Sequence, residues 1–156
     1  MCIRDRNPVA LHYHGVLQFQ RGKHEEAITL ISKALEIAPD YADAHYNLGK
    51  VHHDSDEIDT AISYYETAIT YDSGSPETFN QLGLAQEQKG LLSAAEKSYE
   101  TALEQQPEFL DALNNLGNVL RLLERPEDAI KQFLRAIEIN SNFMYAHHNL
   151  LSLIHI

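Results

Sequence analysis

The sequence predicts an all-α fold of stacked helical hairpins, chiefly because small and large residues recur every 34 residues. The small residues form one glycine column and two alanine columns: Gly15, Gly49, Gly83 and Gly117; Ala27, Ala61, Ala95 and Ala129; Ala34, Ala68, Ala102 and Ala136. A column of large residues lies between the alanines in the same register: Ile31, Tyr65, Tyr99 and Phe133. No insertion breaks this period, which is typical of a helical repeat array.

The small residues indicate where neighbouring helices approach closely. Glycine in a helix interior costs roughly 1 kcal/mol relative to alanine. Glycine at one phase of every repeat is therefore expected where a side chain would collide with the facing helix. The alanine columns mark two further close contacts, and the large column fills the wider gap between them. Fully burying one such large side chain contributes roughly 1.5–3 kcal/mol.

The same register places two amphipathic helices in each repeat. We expect first helices near residues 8–21, 42–55, 76–89, 110–123 and from 144 onward, and second helices near residues 24–37, 58–71, 92–105 and 126–139. Gly22 and Gly90 suit left-handed C-terminal caps, and Pro126 suits a first helical turn because its missing N–H costs nothing there. Pro39 and Pro107 are expected to end the second helices before them.

This pattern resembles the tetratricopeptide repeat family, which has small residues near its eighth, twentieth and twenty-seventh positions and proline near its thirty-second. The first repeat matches it with Gly15, Ala27, Ala34 and Pro39, whereas Ser73 replaces the proline in the second repeat. The resemblance implies a right-handed superhelical solenoid whose concave face, lined mainly by first helices, binds ligands. The implied repeats are 8–41, 42–75, 76–109 and 110–143, with the start of a fifth at 144–150.

The two ends of the chain, residues 1–6 and 151–156, do not follow the repeat. One DNA sequence that encodes MCIRDR has a reverse complement that encodes LSLIHI. Complementary ends of this kind resemble remnants of a sequencing adapter around an environmental DNA fragment. We therefore expect both segments to be non-native and set them aside when reasoning about function. On this interpretation, the native protein continues in both directions.

Composition excludes several classes of function. The formal net charge of -11 disfavours nucleic acid, whose affinity comes largely from Lys and Arg that neutralise phosphates, and it disfavours anionic membranes likewise. No apolar run approaches the ~20 residues that span a bilayer. Cys2, the single cysteine, lies in the expected remnant, so neither a disulfide framework nor a thiolate metal site is predicted, and a cytoplasmic location fits. Adjacent or alternate histidines such as His12 and His14 lack the spacing of four that favours metal binding on a helix.

No catalytic motif or cofactor site is predicted either. The sequence has no Gly-rich phosphate loop, nucleophile elbow or Cys–His dyad. Paired carboxylates such as Glu127 and Asp128 fall in the first turn of a second helix, where negative charge favours the helix dipole. We therefore expect this segment of the chain to be non-catalytic and to bind no cofactor.

Candidate ligand-binding residues occupy equal phases on the first helices. An acidic column comprises Asp43, Glu77 and Asp111, and an amide column comprises Asn47, Gln81, Asn115 and Asn149, with Tyr13 in the first repeat. Neighbouring columns contribute Tyr46, Asn80 and Asn114, with His12 and His148, and then Lys50 and Asn118. Because Asn is a poor helix former, its repetition needs a reason. Either the amides form a ladder that bonds the main chain of an extended peptide, or they bond neighbouring helices or water as part of the repeat consensus.

The amide column is similar to the asparagine ladder in the repeat arm of O-linked N-acetylglucosamine transferases, where it holds substrate polypeptide. Asn47, Asn115 and Asn149 match that ladder, whereas Gln81 and Tyr13 depart from it. Arrays that capture acidic C-terminal tails carry basic residues on this face, but the acidic column lies here instead. We therefore expect a neutral or basic extended segment as the partner.

Two classes of function remain open. The first is a protein–protein interaction scaffold without catalysis. The second is the substrate-docking arm of a larger glycosyltransferase, sulfotransferase or methyltransferase. We also expect self-association through the apolar C-terminal end, where Leu151 takes the glycine phase and Leu153, Ile154 and Ile156 follow.

Overall fold

The computed structural model describes residues 6–72 and 74–154, and these contain α-helices and no β-strand. This confirms the all-α fold class. The predictions that concern Cys2, Ser73 and Ile156 lie outside the described residues. None of the helices in the described ranges is both long enough and apolar enough to cross a bilayer. The chain divides into two compact units, residues 1–74 and 75–156, called here the N-terminal and C-terminal units.

The helices lie within one residue of the predicted bounds. The N-terminal unit contains α1 (Pro8–Gln20), α2 (His24–Ile37), α3 (Ala42–Asp54) and α4 (Ile58–Asp72). The C-terminal unit contains α5 (Pro76–Gln88), α6 (Leu92–Gln105), α7 (Leu110–Leu122), α8 (Pro126–Ile139) and α9 (Met144–Ile154). Odd-numbered helices are the first helices of their repeats. Each of α1, α3, α5 and α7 forms a hairpin with the helix after it.

Hairpins stack within each unit through the second helix of one repeat and the first helix of the next. In the N-terminal unit, α2 packs against α3 and buries Ile31 with Ala44 and Leu48. In the C-terminal unit, α6 packs against α7 and α8 against α9, and the core includes Tyr99 and Phe133. First helices of consecutive repeats also touch, α1 with α3, α5 with α7 and α7 with α9.

The glycine column lies directly under the large column within each hairpin. A Cβ built on Gly83 would lie 2.6 Å from Cε1 of Tyr99, and one on Gly49 would lie 2.6 Å from Cε1 of Tyr65. The predicted collision is therefore confirmed. The atoms nearest to each added Cβ belong to the tyrosine ring on the second helix and not to the backbone of that helix. The absence of a side chain at the glycine therefore leaves space for the ring.

Buried tyrosines of the large column find polar partners on the first helix of their own hairpin. The Tyr99 hydroxyl donates a hydrogen bond to Oε2 of Glu87 over 2.9 Å. In the hairpin whose large residue is Phe133, the position equivalent to Glu87 is Arg121. A buried phenol needs a hydrogen-bond partner. The acceptor Glu87 is therefore found in the hairpin that has a tyrosine hydroxyl, and the hairpin with Phe133 needs no such acceptor. Burial raises the pKa of Glu87, and the Tyr99 hydrogen bond opposes part of that rise.

The loops within the hairpins share one left-handed backbone position. Gly22 and Gly90 have φ of 77° and 84°, as predicted for C-terminal caps, and the equivalent Asp56 and Glu124 have φ of 62° and 59°. After each of these residues, the next backbone N–H bonds back to the helix, for example from Arg125 to the carbonyl of Leu120 over 2.9 Å. This is the bond of a Schellman cap.

We expect Glu124→Gly to increase the free energy of unfolding by about 0.5–1 kcal/mol. Left-handed backbone costs a non-glycine residue roughly 1–2 kcal/mol, and the greater unfolded-state entropy of glycine offsets part of that gain. The matched control is Gly90→Ala, whose free energy of unfolding should fall by a similar amount. An added Cβ at Gly90 meets no atom within 4 Å, so only the cost of the left-handed backbone remains. Urea denaturation of both variants measures the two changes, and equal stability of all three proteins would contradict this account.

Candidate functional site

The acidic column is exposed and lies in the first turns of the first helices. Asp43 is in the first turn of α3, Glu77 in that of α5 and Asp111 in that of α7. The partial positive charge at a helix N-terminus stabilises these carboxylates. They therefore stabilise their helices and remain accessible to solvent.

In the N-terminal unit, Asn47 of the amide column connects α3 to α1. Its Nδ2 donates to the backbone carbonyl of Asp43 over 3.0 Å and lies 2.8 Å from Nε2 of His12. The other ring nitrogen, Nδ1 of His12, lies 2.9 Å from the hydroxyl of Tyr41. His12 is only 3% exposed, so its polar atoms depend on these partners.

In the C-terminal unit, the amide column connects consecutive first helices in the same way. Nδ2 of Asn115 on α7 donates to Oδ1 of Asn80 on α5 over 3.1 Å, and Nδ2 of Asn149 on α9 donates to Oδ1 of Asn114 on α7 over 2.8 Å. We call each of these bonds, and the one from Asn47 to His12, a rung. A rung joins residues that are 35 apart in sequence.

The rungs bear on the two interpretations of the asparagines. The amide nitrogens bond neighbouring helices, as the consensus interpretation expects. Within the described chain, however, the Oδ1 atoms of Asn47, Asn115 and Asn149 accept no hydrogen bond from protein. The two interpretations are therefore compatible, because the nitrogen serves the fold and the carbonyl oxygen stays open for another donor.

The remaining predicted residues differ in accessibility. Asn80 is 4% exposed and serves as the acceptor of a rung, so it presents little surface to a ligand. Gln81, Asn114 and Asn118 are half-buried in the C-terminal unit. In the N-terminal unit, Nζ of Lys50 lies 5.6 Å from the ring centroid of Tyr46, at the distance of a cation–π contact.

Two apolar residues of α1 occupy the same columns and extend this surface. Val9 is one period before Asp43, and Tyr13 is one period before Asn47. They are 47% and 65% exposed. Sequence reasoning missed Val9, although its phase could have identified it. In each unit, we call the exposed side of the first helices that carries these columns the first-helix face.

A pocket of about 290 Å³ adjoins the acidic column in the N-terminal unit. It is lined by Asp40, Tyr41, Ala42, Asp43, Tyr71 and Asp72. Of these residues, only Asp43 was singled out from the sequence, because the start of α3 and the end of α4 are far apart along the chain. Three carboxylates beside two phenol rings give the pocket a strongly acidic and partly aromatic lining.

The described residues contain no group of three or more His, Cys, Asp or Glu side chains arranged to hold a metal ion. Histidines instead pair with carboxylates or rings. Nε2 of His24 lies 2.8 Å from Asp54, Nδ1 of His52 lies 2.7 Å from Glu57, and the His52 ring stacks on Tyr64. These pairs connect helices of the N-terminal unit.

Solved structures share this fold. A structure of Pseudomonas aeruginosa PilF superposes with a TM-score of 0.87 at 28% identity, covering 97% of this chain and 69% of that one. A crystal structure of MamA gives a TM-score of 0.87 at 22% identity, covering 95% and 81% of the two chains. At that lower identity, the likeness to MamA concerns the fold alone.

Curated relatives are similar over much of this chain. The type IV pilus assembly protein PilF of Pseudomonas aeruginosa is 32% identical over 130 residues, which are 82% of this chain and 52% of PilF. The human protein O-mannosyl-transferase TMTC2 is 33% identical over 98 residues, which are 61% of this chain and 12% of TMTC2. The chain thus spans about half of one relative and a small part of the other.

Family models match most of the chain. A model described as TPR repeat matches residues 15–56, and two described as tetratricopeptide repeat match residues 42–74 and 80–143. These ranges contain the glycine and large columns that hold each hairpin together. The chain belongs to the tetratricopeptide repeat family.

Proposed function

We propose that this chain is a non-catalytic protein-interaction scaffold that binds an extended, neutral to basic polypeptide on its first-helix faces. The observation that carries the proposal is the geometry of the rungs. Each rung fixes an asparagine through its nitrogen and leaves its carbonyl oxygen without a protein donor. Such acceptors, which recur one period apart at Asn115 and Asn149 in the C-terminal unit, suit the N–H groups of an extended main chain. In a helical ligand, those N–H groups would already be bonded within the helix.

Charge favours a neutral or basic segment as the ligand. Exposed carboxylates of the acidic column lie on the same helices as the rungs, and the net charge of the chain is -11. The acidic pocket beside Asp43 suits a lysine or arginine side chain. Complementary charge of this kind acts mainly on association rate and specificity.

The ligand is also expected to contain an apolar residue. Val9 and Tyr13 expose apolar surface on α1 at the phases where α3 presents Asp43 and Asn47. Neighbouring packed helices lie about 8–10 Å apart, which an extended chain covers in about three residues. A ligand that follows both helices would therefore place its apolar and basic side chains about three residues apart.

A second function is that of a docking arm within a larger enzyme. The relative TMTC2 is a transferase by name, and this chain matches only 12% of its length. Such an arm would use the same first-helix faces to hold a substrate polypeptide, and the catalytic groups would lie in another domain. For either function, we propose a cytoplasmic location.

Neutralising the acidic column should weaken binding of basic peptides. The triple variant Asp43→Asn, Glu77→Gln and Asp111→Asn keeps the shapes of exposed side chains and removes three charges. On an array of capped ten-residue peptides at low salt, we expect its affinity for Lys-containing peptides to fall at least about threefold, because exposed pairs contribute roughly 0.2–1 kcal/mol each. The loss should shrink as salt is added.

The matched control for that variant changes the same number of charges on exposed positions of second helices: Glu25→Gln, Glu36→Gln and Glu138→Gln. If both triple variants lose affinity equally, the effect comes from net charge and the acidic column is not the binding surface. Full affinity in the first triple variant would contradict the proposed preference for basic segments.

Removing the amide carbonyls should reduce capture of neutral peptides as well. The variant carries Asn47→Ala, Asn115→Ala and Asn149→Ala. We expect its affinity for the peptides that the unaltered chain binds on the same array to fall about tenfold or more, since each lost hydrogen bond contributes roughly 0.5–1.5 kcal/mol. Thermal unfolding of the variant verifies that the protein tested is folded. Unaltered capture by the folded variant would leave the amide column with a structural role only.

The apolar surface of α9 supports a further proposal of self-association. Met144, Tyr145, Leu151 and Ile154 are exposed on this helix. Exposed apolar surface of this kind favours association between copies. Sedimentation over a range of concentrations should therefore show a larger species for the full chain than for a chain that ends at Asn149. Identical sedimentation of the two would remove the proposal.

A further inference from the structure

The hydrogen bonds around Asn47 determine the orientation of its amide and the tautomer of His12. A backbone carbonyl only accepts hydrogen bonds, so the Asn47 atom that faces the carbonyl of Asp43 must be Nδ2. The same Nδ2 faces Nε2 of His12, and an amide nitrogen only donates. Nε2 must therefore be unprotonated, and the ring proton lies on Nδ1, where it is donated to the hydroxyl of Tyr41.

We propose that His12 is a positioning residue for the first-helix face, whose neutral ring holds Asn47 with its carbonyl oxygen turned to the ligand and releases Asn47 when the ring is protonated. This inference rests on the proposed function. His12 is 3% exposed and has no direct access to a ligand, so it acts through Asn47. Among the residues that the structure describes, the amide nitrogen of Asn47 has two acceptors, the backbone carbonyl of Asp43 and Nε2 of His12.

Protonation removes the acceptor that the rung needs. The new Nε2–H group would point at the NH₂ group of Asn47, so that two donors face each other. The protonated ring would also compete with Asn47 for the backbone carbonyl of Asp43, which accepts from both. Rotating the amide brings its Oδ1 to the ring but sets that oxygen against the carbonyl of Asp43. Either outcome breaks hydrogen bonds that hold Asn47 in the neutral state, and the carbonyl oxygen of Asn47 no longer keeps its position toward a ligand.

The surroundings of His12 favour the neutral ring at pH 7. The titratable groups that face it are Tyr41 and Asp43 from the start of α3 and Tyr13 on α1, whereas α2 buries only the apolar Ala27, Ile31 and Ala34. Burial lowers the pKa of His12 below its ordinary value of 6.5, whereas the Asp43 carboxylate and a hydrogen bond from the ring to the Asp43 backbone carbonyl oppose the shift. The ring is therefore mostly neutral at pH 7.

The rungs of the C-terminal unit provide an internal comparison. Asn80 and Asn114 occupy the position of His12 two and three periods later, and their Oδ1 atoms accept the hydrogen bonds from Asn115 and Asn149. An amide oxygen does not titrate in this range. Acid should therefore disturb the Asn47 rung and leave the other two rungs unchanged, and asparagine at position 12 should make the first rung insensitive to pH.

The sign of the pH effect follows from linkage. Because the folded protein holds His12 with a lowered pKa, the unfolded chain binds more protons between that pKa and 6.5. The stabilisation by the rung is complete above pH 6.5 and is lost as pH falls below it. Ligand binding at Asn47 should decline over the same range.

Side-chain NMR tests the positioning directly, without a ligand. The Asn47 NH₂ signals should shift with a midpoint below pH 6.5, whereas those of Asn115 and Asn149 should move little. Nitrogen spectra of the His12 ring should show the proton on Nδ1 at pH 7.5. In His12→Asn, the pH dependence of the Asn47 signals should vanish. A proton on Nε2, or an unchanged titration in His12→Asn, would overturn the proposal.

Binding of a capped peptide of five Lys-Ala repeats gives the second readout. We expect its affinity for the unaltered chain to fall about two- to tenfold from pH 7.5 to pH 5.5, the equivalent of one hydrogen bond. His12→Asn should bind the peptide equally at both pH values. His12→Ala should bind weakly at both, so that asparagine restores what alanine removes.

The two readouts distinguish two kinds of failure. If the peptide binds at no pH, the proposed function is overturned, and the NMR titration alone decides whether His12 orients Asn47. If the peptide binds and His12→Asn keeps the pH profile of the unaltered chain, the positioning role is overturned and the proposed function stands. The variant His14→Asn, which replaces an exposed neighbour on α1, should leave both readouts unchanged.

Discussion

The packing of one large side chain on one glycine holds each hairpin together, and the rest of the structure depends on it. In every hairpin, a Cβ on the glycine would come far inside contact distance of the residue on the second helix, as with Gly15 and Cγ1 of Ile31 at 2.5 Å. The glycine thus sets how close the two helices lie. That spacing in turn positions the second helix. In the N-terminal unit, the second helix α2 packs against Ala44 and Leu48 of α3.

The polar face of the first helices is a consequence of this packing. The hairpins repeat every 34 residues, and each rung asparagine contacts the residue 35 positions earlier, on the first helix of the previous repeat. That residue belongs to the column next to the amide column. Asn115 and Asn149 use their nitrogens for this contact, so their carbonyl oxygens are held in place. The cost of placing a poor helix former inside a helix is offset by a hydrogen bond between helices. A binding surface with ordered acceptors results from bonds that also stabilise the array.

The repeats differ from one another at positions where a residue in one column is matched to a residue in another column. Tyr99 is accompanied by Glu87, which accepts the hydrogen bond of its hydroxyl, whereas Phe133, which has no hydroxyl, is accompanied by Arg121, which has no acceptor. The rung acceptor varies likewise, because His12 replaces the asparagine found at position 80. A single exchange of acceptor keeps the geometry of the rung and makes it sensitive to protons.

The sequence alone determined the helices, the hairpin order, the family and the collision at each glycine, because these follow from local periodicity and from the cost of glycine in a helix. Only the tertiary structure decided how the polar columns are used. It buries Asn80 as an acceptor, pairs Asn47 with His12, and brings Asp72 beside Asp43. Those outcomes depend on side-chain orientations and on distances between helices that are about 30 residues apart along the chain, and a repeat period fixes neither.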